Sequence, residues 1–167
     1  TMLELYQAQG DFTHMMEISE TMISGVATDI LGTTDIEFRG ETYSLAAPFQ
    51  RERYDDLFAK NNNGVSILDE DAVAARAKEL GVTVAPGLGH WKLVGEIFDE
   101  TVEPHLPGPI FVTHYPSAIC PLAKPDPTNP VFAERFELFI GGMELANAFS
   151  ELNDPVLQME KFEEQVA

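Results

Sequence analysis

The chain has 167 residues, one cysteine and a formal net charge of −18. That length supports one domain with a real core, and a single cysteine excludes an internal disulfide framework and fits a reducing cytoplasm. The charge works against gripping a phosphate backbone, since Lys and Arg are scattered rather than clustered, and no apolar run is long enough to span a bilayer.

The opening TMLELYQAQG has neither the basic start nor the small-residue cleavage pattern of a signal peptide. Residues 2–8 alternate like a strand, with Glu4 and Tyr6 on one face and Leu3 and Leu5 on the other. A chain that starts in mid-pattern without Met reads as a piece of a longer protein. Gly10-Asp11 breaks the strand, and Asp11 caps a helix over 12–31. That helix carries Met15, Met16, Ile18, Met22, Ile23, Val26, Ile30 and Leu31 at helical spacing and ends at Gly32; its methionines read as core filler.

DIEFRGETYSL at 35–45 predicts a hairpin turning near Arg39-Gly40. Pro48 begins an extended piece, and 54–60 is a short helix leading to the turn formers Asn61-Asn62-Asn63-Gly64. Asp69 caps a helix over 70–80 that Gly81 ends. The connection VTVAPGLG leads to another helix over 90–105, with Trp91, Val94, Ile97, Phe98 and Val102 on its apolar side. Residues 54–105 therefore read as a small helical subdomain inserted between strands. A short buried strand follows at 110–114. Residues 115–130 hold five of the eleven prolines, too many for a helix or a central strand, and predict a long ordered loop. After a hairpin, Asp154 and Pro155 begin a last helix as its cap and first residue. Strands and helices do not alternate regularly, so the expected class is α+β, an antiparallel sheet flanked by helices.

The hairpin carries the chemistry. Residues 135–151 read RFELFIGGMELANAFSE. Gly141-Gly142 makes a poor helix interior, each Gly costing about 1 kcal/mol relative to Ala, but a good two-residue turn because Gly accepts positive φ. Strands over 133–140 and 143–151 then set Ile140 against Met143, Phe139 against Glu144 and Glu137 against Ala146. Phe136, Leu138 and Ile140 point one way; Glu137, Phe139 and Glu144 share the other face. Two carboxylates ~5 Å apart in an effective dielectric of about 20 repel by on the order of 3 kcal/mol. A cation between them, or one retained proton, relieves this. Such a pair suits Mg²⁺ bound together with substrate phosphates. A solvated hairpin with ordinary surface acids is the open alternative.

Strict alternation gives Asn147, Phe149 and Glu151 the opposite parity to Glu144. If one site uses them all, the strand must switch face between Glu144 and Asn147. A β-bulge does this, and Ala146 and Ala148 leave room for it. Elsewhere, His14, His90, His105 and His114 lack zinc-ligand spacing, and no nucleophile elbow, phosphate loop or dinucleotide fingerprint occurs. Cys120, in AICPLAK, reads as a buried small hydrophobe. The useful acids are Glu4, Glu137, Glu144 and Glu151, with Tyr6 and Asn147. They suit a cationic small substrate beside a metal-bound polyphosphate.

TMLELYQA at 1–8, HYPSAICPLAK at 114–124 and RFELFIGGMELANAFSELNDP at 135–155 together resemble the catalytic domain of class II lysyl-tRNA synthetases, in the family's order and over essentially the whole chain. The resemblance implies ATP- and Mg²⁺-dependent activation of lysine to lysyl-adenylate and its transfer to tRNA(Lys). By it, Glu137 and Glu144 match the acids that hold ATP-bound magnesium. Tyr6 and Glu151 match the residues that recognise the lysine ε-ammonium, and Glu4, Asn147 and Phe149 match others lining the lysine pocket. Met143 stands where many relatives carry arginine.

The family's motif 2 arginine and motif 3 arginine are not in this segment, so the resemblance implies a piece between motifs 2 and 3 that is inactive alone, no catalytic residue being assigned within it. Residues 1–53 and 106–167 would be a partial core and 54–105 the helical insertion. The parent would be a cytoplasmic homodimer. Two alternatives are a paralogue that lysylates a protein, of the elongation factor P type, and a non-catalytic lysine-binding regulatory module.

Overall fold

The computed structural model describes residues 2–82 and 89–166. Helix α1 (Phe12–Leu31) begins where Asp11 accepts hydrogen bonds from the Thr13 and His14 amides at 2.9 and 3.2 Å. It stops at Gly32, whose left-handed φ of 70° lets its amide close on the Thr28 carbonyl. Strands β1 (Asp35–Phe38) and β2 (Glu41–Ser44) form the expected hairpin on Arg39-Gly40. Strand β3 (Gln50–Arg53) runs straight into α2 (Tyr54–Asn61); α3 (Glu70–Leu80) and α4 (His90–Thr101) follow. Strands β4 (Ile110–Thr113), β5 (Arg135–Ile140) and β6 (Met143–Phe149) and helix α5 (Pro155–Val166) complete the order. Of the connection expected at 82–89, residues 83–88 lie outside the described residues.

The main sheet has the order β3-β4-β5-β6. It is mixed rather than antiparallel, because β3 and β4 run parallel while β4–β5 and β5–β6 are antiparallel. The cause is the helical segment. A chain that leaves β3 and returns beside it in the same direction needs a long crossover, and α2, α3 and α4 supply it.

Each face of the sheet buries a different core. On one, Phe111, Phe136, Leu138 and Ile140 pack with Phe12, Met16 and Ala27 of α1. On the other, Ile110, Val112 and Phe139 pack with Tyr54, Leu57, Val94, Ile97 and Phe98 of the crossover. β4 is consequently buried along its whole length, which accounts for its unbroken apolar run IFV. The buried Glu20 of α1 accepts from the Phe49 amide at 3.0 Å and from Arg51 at 2.9 Å, tying the helix to the start of β3.

Three expectations need correction here. Residues 2–8 form no strand: Leu3, Leu5 and Tyr6 are exposed, and among the described residues none pairs with them. Alternation alone does not hold an extended segment without a ladder partner. Helix α4 ends at Thr101, and Glu103–His105 is a separate 3-10 turn, since Pro104 has no amide for the helical ladder. The apolar stripe of α1 is only partly buried. The sheet meets the side carrying Phe12, Met16, Ile23 and Ala27, which leaves Met22, Val26, Ile30 and Leu31 exposed.

The loop of turn formers holds a surprise. Asn62 is fully buried, donating to the Phe58 carbonyl at 3.0 Å and the Thr101 hydroxyl at 2.9 Å and accepting from Arg76 Nε at 3.0 Å. It joins α2, α3 and α4 at one point. The proline-rich stretch 115–130 is ordered as expected, through bridges of Pro116 with Phe132 and Pro125 with Ala133. α5 docks on it, Lys161 Nζ donating to the Ser117 carbonyl and Gln158 Nε2 to the Pro121 carbonyl, both at 3.0 Å.

Candidate functional site

The β5–β6 turn has Gly141 and Gly142 at φ 59° and 71°, the left-handed values that a primed two-residue turn requires. Beyond it, Ile140 pairs with Met143 and Phe139 with Glu144, as counting from the turn predicts. The register then slips by one. Leu138 pairs with Ala146 and Glu137 with Asn147, leaving Leu145 as the extra residue of a bulge. The expected Glu137–Ala146 pairing is thereby replaced.

The slip decides what the hairpin can do. Without it, Glu144 and Asn147 would sit on opposite faces. With it, Arg135, Glu137 and Phe139 of β5 share a face with Glu144, Asn147 and Phe149 of β6. Asn147 Nδ2 donates to Glu144 Oε1 at 3.0 Å, so the amide opposite Glu137 also holds Glu144. β5 is buried on both sides, whereas Glu144 and Asn147 on β6 are exposed. One acid faces the interior and the other faces water.

Glu137 is 8% exposed and has two partners that spacing did not reveal. Arg135 Nη2 donates to Oε1, and the Tyr115 hydroxyl donates to Oε2 at 2.7 Å. Burial pushes the Glu137 carboxyl above its ordinary range; Arg135 and Tyr115 pull it back, while Glu144 and Asp99 add to the rise. The Arg135 guanidinium offsets part of the charge of Glu137 itself. Glu103, at the end of the crossover, is pushed up to about 7 by burial first and then by the charges of Asp99, Glu137 and Glu144. The crossover therefore brings a third and a fourth acid within electrostatic range of the pair. Among the described residues, no group of three or more His, Cys, Asp or Glu is arranged to hold a metal ion by itself.

Glu4, Tyr6 and Glu151 form a second group. The Tyr6 hydroxyl donates to Glu4 Oε1 at 3.2 Å. Its ionisation is displaced upward, chiefly by the Glu4 charge and that hydrogen bond and in smaller measure by Glu151. Glu151 lies beyond β6, where it bridges to Ala123 of the proline-rich loop. All three are exposed, Tyr6 at 76%. Phe149 is half-buried against the crossover core. Seven sequence-predicted residues thus fall into a hairpin group of Glu137, Glu144, Asn147 and Phe149 and a group of Glu4, Tyr6 and Glu151.

Sequence reasoning missed Arg135, Tyr115 and Glu103. Arg135 was within reach, because it precedes Glu137 by two positions and alternation puts both on one face. Tyr115 and Glu103 carry no such signal, since only the fold brings the 115–130 loop and the end of the crossover to this strand.

The family model for class II tRNA synthetases (D, K and N) matches residues 1–167. A lysine–tRNA ligase from Acinetobacter baumannii is 44% identical over 171 residues, covering 100% of this chain and 34% of that protein. One from Moorella thermoacetica is 47% identical, covering 100% of this chain and 35% of the relative. One from Chromohalobacter salexigens is 42% identical, with 100% and 34% covered. The chain thus spans about a third of the length of the curated relatives it matches. The face-switching hairpin lies inside a family match that runs over residues 1–167, and the chain belongs to the class II tRNA synthetases of the D, K and N group.

Proposed function

We propose that this chain is an internal part of the catalytic domain of a lysine–tRNA ligase, an ATP- and Mg²⁺-dependent enzyme that activates lysine as lysyl-adenylate and transfers it to tRNA(Lys). The observation that carries the reading is the bulge at Leu145, which brings Asn147 and Phe149 to the face of Glu137 and Glu144. The names of the relatives support the amino acid and the acceptor. Residues 1–53 and 106–167 form the partial core, and 54–105 the family's helical insertion.

The donor set at Glu137 and Glu144 fits magnesium. Both offer hard carboxylate oxygens on one face, and two protein ligands leave room for the phosphates that usually complete a Mg²⁺ shell. When bound there, the ion would neutralise charge on the ATP phosphates. Glu151 and Tyr6 recognise the lysine ε-ammonium, Glu151 supplying negative charge and Tyr6 a hydroxyl oxygen. Glu4 orients Tyr6 through the hydrogen bond already present. Asn147 and Phe149 line the pocket, Phe149 against the aliphatic stem. Neutral amino acids would leave the carboxylates unpaired, which is the basis of selection.

The parent works in the cytoplasm as a homodimer, with tRNA held by parts outside this acidic chain. No helix among the described residues is long and apolar enough to cross a membrane. By the resemblance, the motif 2 and motif 3 arginines that meet the ATP phosphates are not in this segment, so we take the segment to be inactive by itself. Pyrophosphate exchange tests this: the full-length protein exchanges in strict dependence on lysine, and the isolated chain does not. Lysine-dependent turnover by the isolated chain would refute its incompleteness. Exchange that ignores lysine in the full-length protein would refute the substrate.

A further inference from the structure

The Glu137 carboxylate is held from both sides by side chains of the same chain. Arg135 takes Oε1 and Tyr115 takes Oε2, each through one hydrogen bond. A carboxylate oxygen accepts two, so each keeps one acceptor position free while the plane of the group is fixed. The two donors are themselves fixed. Arg135 Nη1 donates to Cys120 Sγ at 3.3 Å, and its guanidinium lies 4.8 Å from the centre of the Tyr115 ring. Tyr115 packs on Tyr54 at 4.9 Å, and Tyr54 is stacked on Phe98 at 3.9 Å. Tyr54 and Phe98 of the crossover helices and Tyr115, just beyond β4, thus form a continuous aromatic wall that ends in the hydroxyl gripping Glu137.

We propose that Tyr115 and Arg135 are positioning residues that fix the Glu137 carboxylate for a divalent cation carried by a nucleoside triphosphate, with Tyr54 and Phe98 as the support behind them. The inference rests on the metal role proposed for Glu137 and deepens it. It assigns the buried crossover core a purpose beyond stability, because a change in the aromatic wall reaches the acid through a single side chain. In this reading Tyr115 and Arg135 act through Glu137, whose two oxygens they hold.

The experiment uses the full-length protein with Mn²⁺ and ATP, bound metal being read by electron paramagnetic resonance and compared with KM for Mg·ATP and KM for lysine. Tyr115→Phe keeps the ring and removes the hydroxyl. It should weaken Mn·ATP binding on the order of tenfold, the worth of one hydrogen bond to a charged group, and raise KM for Mg·ATP in step while KM for lysine stays unchanged. Arg135→Lys should retain more affinity than Arg135→Gln, because it keeps the charge. Glu137→Gln separates the two levels. If Glu137→Gln weakens Mn·ATP but Tyr115→Phe binds as the wild type does, the positioning role is overturned and the metal role stands. If Glu137→Gln is silent, both fall. A Tyr115→Phe variant that raises both KM values together would mark general loosening and would also overturn the inference.

Discussion

Glu137 of β5 stands directly opposite Asn147 of β6, although counting residues from the Gly141-Gly142 turn pairs it with Ala146. That one-residue offset sorts the hairpin into an apolar face against α1 and a polar face against the crossover. It makes the role of Leu145 testable.

Deleting Leu145 removes the bulge and restores strict alternation. Glu144 and Asn147 are then two positions apart and share a face by alternation alone, so the pairings of Phe139 with Glu144 and of Glu137 with Asn147 survive and most activity should be retained. Deleting both Leu145 and Ala146 sets Glu144 and Asn147 side by side on opposite faces, because a one-residue slip exchanges the faces. The full-length protein with the double deletion should lose lysine-dependent pyrophosphate exchange by at least about a hundredfold, two or more ligand contacts being displaced at once. Equal losses from the single and the double deletion would show that the shared face does not matter.

Glu103 makes stability fall as pH rises. Its folded pKa of about 7 lies above the ordinary 4.5, so between these values the folded state holds more proton than the unfolded one. The contribution is intact below about pH 4.5, is lost progressively as pH climbs to about 7, and stays lost above that. Glu103→Gln should therefore melt higher than the wild type at pH 8, with the gap closing toward pH 4.5. Thermal scans at three pH values check this, and a gap that widens toward acid would contradict the assignment.

Asn62→Ala leaves the Phe58 carbonyl, the Thr101 hydroxyl and Arg76 Nε each short of a partner in the middle of the crossover. The expected cost is about 2–4 kcal/mol in a urea titration, well above that of an exposed Asn in the same turn such as Asn63. A loss below about 0.5 kcal/mol would mean that the three helices do not depend on this point.

Gly108 is at φ 43°, and a Cβ there would lie 2.6 Å from the Phe139 carbonyl oxygen. Backbone is the obstacle, so no side chain can move aside. Gly108→Ala should destabilise the chain by about 2 kcal/mol or more, against a loss near 1 kcal/mol for Gly→Ala at an open left-handed position. Gly40, at φ 85° with nothing nearby, is the matched control.

Local chemistry was the legible part of the fold. Asp11 and Gly32 mark the ends of α1, Asp69 and Gly81 those of α3, and Asp154 caps α5 through the Val156 and Leu157 amides, because caps act within a few residues of themselves. The bulge was legible too, since Glu144 has the opposite parity to Asn147, Phe149 and Glu151 and could not otherwise share a face with them. What depends on distant chain was not. The parallel β3–β4 pairing follows from where the crossover returns, the exposure of Met22 and Ile30 from which side of α1 meets the sheet, and the Tyr115 partner of Glu137 from a loop 22 residues upstream. Residues 2–8 have the pattern of a strand, yet a strand is a relation between two segments.

The small β1–β2 hairpin rests against the tip of the long one. A Cβ added at Gly141 would come 3.0 Å from the Phe38 ring and 3.3 Å from that of Tyr43, and at the opposite end Glu151 is bridged to Ala123. The ribbon carrying the acids is thus a beam clamped at both ends rather than a cantilever. Glu144 and Asn147, which reach into water between those ends, are held from two directions, and a bulky residue at 141 would press on the Phe38 and Tyr43 rings and release one clamp.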